Sequence, residues 1–531
     1  MNQVIVVGSG GAGLVAALSA KQSGADVVVI TKEYPTRSQT CMAQGGINAV
    51  LYDTYNDSVE QHIQNTLKSA LGLADEDSVR FMCTNAPEAL MWLDSIGVAF
   101  SRTEDGKIAQ RKLGGAAAPR ACYAQDYTGL KILHTLYDSC IKEGITFLNE
   151  RFLLDIITQE ENNKQIVCGV SVLNKKNGEV EVYNGSSVIL ATGGYSRVYN
   201  NYSTNSLSST GDGIAAALRA GAKLGDMEFI QFHPTALKNS SILISESARG
   251  AGGYLINSKG ERFVDELLSR DLVSRAIDDE MQRGEEVFLD IRHLGEKFIE
   301  EELPQEAKLA KLYENVDVLK DVIPIKPSAH YTMGGIIVDK DAMSCIDGLF
   351  AAGECANHRV HGANRLVGNS LLEIVVFGRV AGESAAKYIK NTNIDKQEHL
   401  QKAKDKIQEY LGYEDSINFY DKQKYLGELF YKNAGIKRDK AGLEDALKVV
   451  IDMKQNLPKM GVKDKTAIYN TNLINFMEFV NMLDISQTIL ISAIARDESR
   501  GAHYRVDEKE RDERFCTNSI IDKGGVVSYA N

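Results

Sequence analysis

Seven polar side chains stand inside otherwise apolar, glycine-rich stretches: His233 in QFHPT, Ser245, Glu246 and Arg249 in LISESARG, Arg270 in SRD, His330 in AHYTMGG and Arg365 in HGANR. Singly, each has a plain explanation. Loop arginines and histidines are usually exposed, and a serine beside a glutamate is commonly a surface turn or a helix cap. If the seven converge, three arginines, two histidines, a hydroxyl and one carboxylate make a strongly positive pocket suited to a small dianion. Arginine is preferred there because its planar fork matches a carboxylate and keeps its charge. The substrate expected is a small dicarboxylate. Glu246 lies three residues before Arg249, a spacing that sets both on one side of a helical turn.

The elements that must position this set begin at the N-terminus. Gly8, Gly10 and Gly13 form G-x-G-x-x-G between the apolar run VIVV and an apolar helical segment, and VVVIT follows. In that strand-helix-strand context Gly8 permits the tight turn, Gly10 lets the backbone approach a pyrophosphate, and Gly13 lets helix and strand pack closely. The helix N-terminus offers free N–H groups to phosphate. The acidic residue that would hold the ribose of NAD is missing: Thr31 and Lys32 stand there, with Glu33 one step further. A second glycine-rich loop, AQGG, follows and is expected to press against the same ligand.

The 531 residues carry a net charge of −12 and 44% apolar residues. That acidity argues against nucleic acid or an anionic membrane surface as a direct partner. No apolar run approaches the ~18 residues that span a bilayer, and the start runs straight into a strand without a charged leader region. The chain is therefore expected to be neither exported nor inserted. Its eight cysteines are scattered with no C-x-x-C, as for free thiols in a reducing compartment.

Residues 1–227 alternate strands with helices. Arginines, histidines and paired glycines then concentrate in 228–339, which reads as an inserted unit. Residues 340–391 return to the first texture with GLFAAGECA and a long apolar helix starting near Ser370. Residues 392–499 have helical periodicity with charge runs that read as a solvated face. The tail 500–531 is densely charged with no core of its own; it reads equally as a docking surface through Arg500 and His503 or as a solvated end.

The residues resemble the flavoprotein subunits of fumarate reductase and succinate dehydrogenase over nearly the whole chain. The resemblance rests on RSxT followed by AQGGI, DYTG, ATGG, TGDG, MEFIQFHPTAL, RHLGEK, AHYTMGGI, GLFAAGE, HGANRLVGNSL and ESRGAH. It implies an α/β fold: a Rossmann-like FAD-binding domain (1–227 and 340–391), an inserted α+β capping domain (228–339), a C-terminal helical domain (392–499) and a short tail. It implies FAD held by Gly8, Gly10, Gly11, Gly13, Lys32, Ser38, Gln39, Thr40, Gln44, Gly45, Gly46, Asp212, Glu354, Ser370 and Leu371. The dicarboxylate falls to His233, Ser245, His330 and Arg365, and Arg270 becomes a proton donor supplied through Glu246 and Arg249.

Gln39 stands where many members carry the histidine that links covalently to the flavin. Gln has no nucleophilic ring nitrogen, so non-covalent FAD is expected, with a lowered flavin potential that favours fumarate reduction. The resemblance also implies an iron-sulfur partner and possibly a further electron-transfer or membrane-anchor subunit, with this chain in the cytoplasm or peripheral on its membrane. Three alternatives stay open: succinate oxidation as the physiological direction, an electron-transfer or assembly subunit without substrate chemistry, and the related L-aspartate oxidase. The last typically has a glutamate before the GG pair for the substrate ammonium, where this chain has Leu113.

Overall fold

The computed structural model describes residues 3–52, 56–388, 390 and 395–530; the expected boundary at 391–392 lies outside the described residues. The strand Gln3–Val7 pairs in parallel with Asp26–Thr31 on one side and Ser187–Leu190 on the other. Leu349–Ala351 and Thr146–Asn149 add in parallel at the two edges, giving a five-stranded sheet. Its central strand is apolar on both faces, as a covered parallel sheet requires. Val4 and Val6 enter a core with the helices Gly11–Gln22, Glu76–Ser95, Thr128–Lys142 and Asn369–Lys387. Ile5 and Val7 enter a second core, shared with the antiparallel strands Arg151–Glu161, Lys164–Asn174 and Val180–Asn184 and with the C-terminal helices.

Between Ser187–Leu190 and Leu349–Ala351 the chain leaves this sheet and builds a second unit. Ile230–Leu237, Ile323–Thr332, Val287–Asp290 and Tyr254–Asn257 form a four-stranded antiparallel sheet in that order. The helices Arg270–Gln282 and Pro304–Glu314 pack on it around Leu237, Val273, Ile277 and Leu289. Two register shifts, at Gln231/Phe232 and at His233/Ala236, interrupt the pairing of Ile230–Leu237. Such bulges re-aim side chains, and here they fall on either side of His233.

The helices Lys396–Gly412, Phe419–Asn433, Lys440–Gln455 and Thr471–Ala495 follow. Thr471–Ala495 has a mean hydropathy of 1.2 and is long and apolar enough to cross a membrane. That corrects the expectation that no segment approaches bilayer length. Phe476, Phe479, Ile485 and Ile489 of this helix pack into the core shared with Tyr195 and Tyr199 of the first unit, which accounts for the apolar composition within the protein.

The tail departs furthest from expectation. Asn518–Ile521 pairs with Leu224–Gly225 and Val527–Ala530, inside a sheet that also holds Gly335–Ile337 and Ala356–Asn357. Arg500 and His503 are 4% and 0% exposed, so they do not form a docking surface. Their polar groups are consumed internally: Arg500 pairs with Glu498 at 2.7 Å, and His503 Nε2 lies 3.0 Å from the Arg496 carbonyl. The ion pairs of Arg496, Glu498 and Arg500 are buried, whereas the charged run 507–511 is exposed.

Candidate active site

The two glycine loops and the inserted unit share one cavity, with an empty volume of about 1610 Å³. Its lining includes Gly8, Gly10, Gly11, Lys32, Ser38, Gln39, Thr40, Gln44, Gly45, Gly46, Asp212, Glu354, Ser370 and Leu371. The polar set His233, Ser245, Glu246, Arg270, His330 and Arg365 lines it too. Gly13 and Arg249 do not line it. A Cβ at Gly13 would fall 2.1 Å from the Gly8 carbonyl oxygen, so Gly13 serves the strand-helix packing that lets the loop form. Gly8 itself has φ +109°, a region open to glycine alone at little strain.

The helices Gly11–Gln22 and Asn369–Lys387 both start at this cavity behind a glycine, and neither has a side-chain cap. Uncapped N-termini leave N–H groups and a positive dipole end for anionic or electron-rich atoms. Gly11 N–H donates to Thr40 Oγ1 at 2.9 Å, fixing the second loop against the first. Ser38 Oγ, Gln44 Oε1 and Thr192 Oγ1 are buried with no hydrogen-bond partner. Buried polar atoms are ordinarily satisfied, so these three fit a dinucleotide with a polar ring system.

Gln39 is held by its neighbours: Oε1 accepts from Ser206 N–H at 2.7 Å and Nε2 donates to Asn205 Oδ1. The Lys32 ammonium is engaged rather than free, bonded to Asp212 at 2.6 Å and to Glu478 of the helical unit at 2.7 Å. Burial alone would lower its pKa, but the two carboxylates outweigh it and the net shift is upward. Glu354 accepts from Thr332 N–H at 2.9 Å, and burial raises its pKa to about 7.

The seven polar residues chosen from sequence lie in one neighbourhood. Ser245 caps the short helix Glu246–Gly250, which puts Glu246 and Arg249 on one side as their spacing predicts. Glu246 Oε2 accepts from Arg249 Nη2 at 2.5 Å and from Arg270 Nε at 3.2 Å. Arg270 Nη1 and Arg365 Nη2 both donate to Gln231 Oε1, at 3.1 and 3.0 Å. Gln231 thus spaces two like charges, a role that sequence reasoning missed. The signal was present, since Gln231 is two residues from His233 in one strand, where i and i+2 share a face.

Both the N–H and the carbonyl oxygen of Thr235 lie 3.2 Å from His233 Nδ1, which anchors that edge of the ring. His233 Nε2 is buried without a hydrogen-bond partner, as are Arg365 Nε and Glu246 Oε1. The His233 and His330 rings are 5.0 Å apart, and Thr204 Oγ1 lies 2.7 Å from His330 Nδ1. Burial, reinforced by Arg270, holds both imidazoles well below their ordinary pKa, hence neutral. Burial also lowers Arg270 to about 9, with Arg365 and Arg249 acting the same way against Glu246. Arg365 stacks its guanidinium 4.3 Å over the Tyr331 ring, whose hydroxyl donates to the buried Glu373 at 2.5 Å. The result is a buried pocket of neutral imidazoles and guanidinium groups beside a dinucleotide cleft.

A parallel-sheet dinucleotide fold joined to such a pocket defines the class: an FAD-dependent oxidoreductase. Residues 3–371 match the family described as FAD binding domain, and residues 423–530 match that described as fumarate reductase flavoprotein C-term. The chain belongs to the flavoprotein subunit family of succinate dehydrogenase and fumarate reductase. It is 39% identical to a succinate dehydrogenase flavoprotein subunit of Rickettsia bellii, over 99% of this chain and 94% of that one. It is 38% identical to the 8-methylmenaquinol:fumarate reductase flavoprotein subunit of Wolinella succinogenes, over 98% and 88%. An E. coli quinol fumarate reductase structure superposes with a TM-score of 0.95 at 35% identity, covering 100% of this chain and 96% of that one.

Proposed function

We propose that this chain interconverts fumarate and succinate, with FAD held non-covalently and fumarate reduction as the favoured direction. The observation that carries the proposal is the Arg249–Glu246–Arg270 chain of hydrogen bonds, ending in a cavity wall where His233 Nε2 and Arg365 Nε have no partner. FAD, when bound, supplies two-electron hydride chemistry; the two glycine loops and both helix N-termini would hold it. His233, Ser245, His330 and Arg365 hold the two carboxylates between them. Fixed donors in a buried site stabilise charge that develops on the substrate.

Arg270 supplies the proton to the substrate carbon. An arginine is a poor acid in water, but burial has lowered its pKa, and Glu246 and Arg249 form a route for reloading it. The names of the relatives do not favour L-aspartate oxidase. Leu113 agrees: it is buried against Gly45 and offers no carboxylate to an ammonium, which would be costly to bury unpaired.

The decisive assay is dye-coupled turnover of purified holoprotein in both directions, with L-aspartate as the competing substrate. Fumarate reduction faster than succinate oxidation is expected; turnover of aspartate alone would overturn the assignment. Acid-denatured holoprotein should release its yellow colour to the supernatant, because the Gln39 amide cannot form the linkage. Electrons must also reach the flavin from outside, so an iron-sulfur partner is part of the proposal, with the chain peripheral on the cytoplasmic side of a membrane through its partners. The relatives are themselves named as subunits. Native purification should bring down a cluster-bearing chain.

A further inference from the structure

Behind Ser245 lies a junction between the first unit and the inserted unit that the catalytic assignment does not use. The helix Pro304–Glu314 of the inserted unit starts behind Leu303, which has no side-chain oxygen to cap it. Asp126, from the DYTG loop of the first unit, takes that place: its Oδ2 accepts from Gln305 N–H at 2.7 Å. One residue further on, Glu306 Oε1 accepts from Ser245 N–H at 3.1 Å. Asp126 and Glu306 are both 0% exposed, and they lie close enough for Asp126 to bear on the ionisation of Glu306. Asp126 Oδ1 and Glu306 Oε2 are buried with no hydrogen-bond partner.

Two neighbouring carboxyl groups at a fully buried site are costly to ionise together, and a proton between them would satisfy the two oxygens that lack a partner. We propose that Asp126 and Glu306 share a proton across this junction and act as a positioning pair, holding Ser245 and the short helix of Glu246 and Arg249 against the first unit. Three titratable neighbours face the pair. Arg111 donates to three backbone carbonyls, those of Gln44, Gly45 and Gln125, and so does not neutralise either carboxylate by direct contact. Tyr127 and Glu302 are the others. Burial and Asp126 together raise the Glu306 pKa well above the carboxylate range. A raised folded-state pKa means the contact is intact at low pH and is lost as pH rises through that value.

The proposal rests on Ser245 as a substrate ligand for its kinetic readout, and on backbone protection for an independent one. KM for fumarate and hydrogen exchange of segment 242–247 are measured against pH in the holoprotein for wild type, Glu306→Gln, Glu306→Ala and Asp126→Asn. Glutamine mimics the protonated acid: it accepts from Ser245 N–H and donates to Asp126 at every pH. Glu306→Gln should therefore keep a low KM and a protected segment at alkaline pH, where wild type loses both. Asn at position 126 donates to ionised Glu306 and should behave alike, which keeps the test open if Glu306→Ala fails to fold. Glu306→Ala should raise KM about tenfold at all pH values, the effect of losing one buried hydrogen bond. If Ser245 does not touch substrate, KM stays flat while the exchange pattern remains. If glutamine and alanine behave identically, or alanine matches wild type in protection at low pH, the shared-proton pair is overturned.

Discussion

Arg270 is a guanidinium placed where its own charge is least welcome. Arg249 and Arg365 are near, the side chain is buried, and one carboxylate, Glu246, serves two arginines. Replacing Arg270 with alanine is expected to lower kcat about 10²–10⁴-fold, the usual range for a lost general acid, with a smaller change in KM; steady-state kinetics with reduced dye measures it. Glu246→Gln should also slow turnover, because an amide cannot relay the proton. The pH dependence follows in sign: the donor is loaded below its pKa, so fumarate reduction should fall as pH rises through about 9. A kcat profile that stays flat to pH 10 would remove Arg270 as the acid. These residues were visible in sequence because each broke an apolar, glycine-rich context. Gln231 was not, because a glutamine in a strand has no chemistry until two arginines converge on it.

Elements explain how residues far apart in sequence meet. A strand with two register shifts carries His233, a single helical turn carries Glu246 and Arg249, and Arg270 opens the next long helix. The periodicities of those elements were legible, and Glu246 and Arg249 were placed correctly from spacing alone. The bulges were not, since which residue is left unpaired depends on the partner strand Ile323–Thr332. At the nucleotide end the strand-loop-helix unit tolerates no side chain at Gly13. Gly13→Ala should lose about 1–3 kcal/mol through overpacking and purify with little flavin, read from thermal melts and visible absorbance. An alanine variant that retains full flavin would show that the helix can retreat from the Gly8 carbonyl without damage to the loop.

At the scale of the whole molecule, the chain ties its units together with buried charge. Lys32 of the first unit reaches Glu478 of the helical unit, and Arg496 pairs with Glu228 at 2.5 Å, both side chains fully buried. Ser519 of the tail donates to the other oxygen of Glu228. Arg496→Ala would strand that carboxylate, and the expected loss is about 3–5 kcal/mol, measured by urea denaturation; replacing the exposed Arg514 instead should change stability by less than about 1 kcal/mol. Truncation at residue 499 removes the strand Asn518–Ile521 from its sheet along with Arg500 and His503. Such a protein is expected to be largely insoluble, checked by expression alongside the full chain.

Local pattern alone singled out the dinucleotide loop, an inserted unit and the candidate polar residues, because glycine spacing, helical period and buried-polar contrast are written within a few residues of one another. It also excluded the NAD-type ribose contact, by the absence of one acid. It read the run 507–511 as solvated, which it is, but did not show that Arg500, His503 and Arg505 are buried, because charge density along a chain does not reveal whether the opposite charge waits in another unit. It missed the bilayer-length apolar helix for a related reason: the polar residues interspersed in it, such as Asn481 and Ser486, are buried and bonded or packed inside the protein. Only the tertiary structure could decide that Gln231 separates two arginines, that Lys32 is engaged by the helical unit, and that Asp126 and Glu306 meet. Each depends on at least one contact between residues more than 100 positions apart, and partner identity at that distance is set by packing, not by spacing.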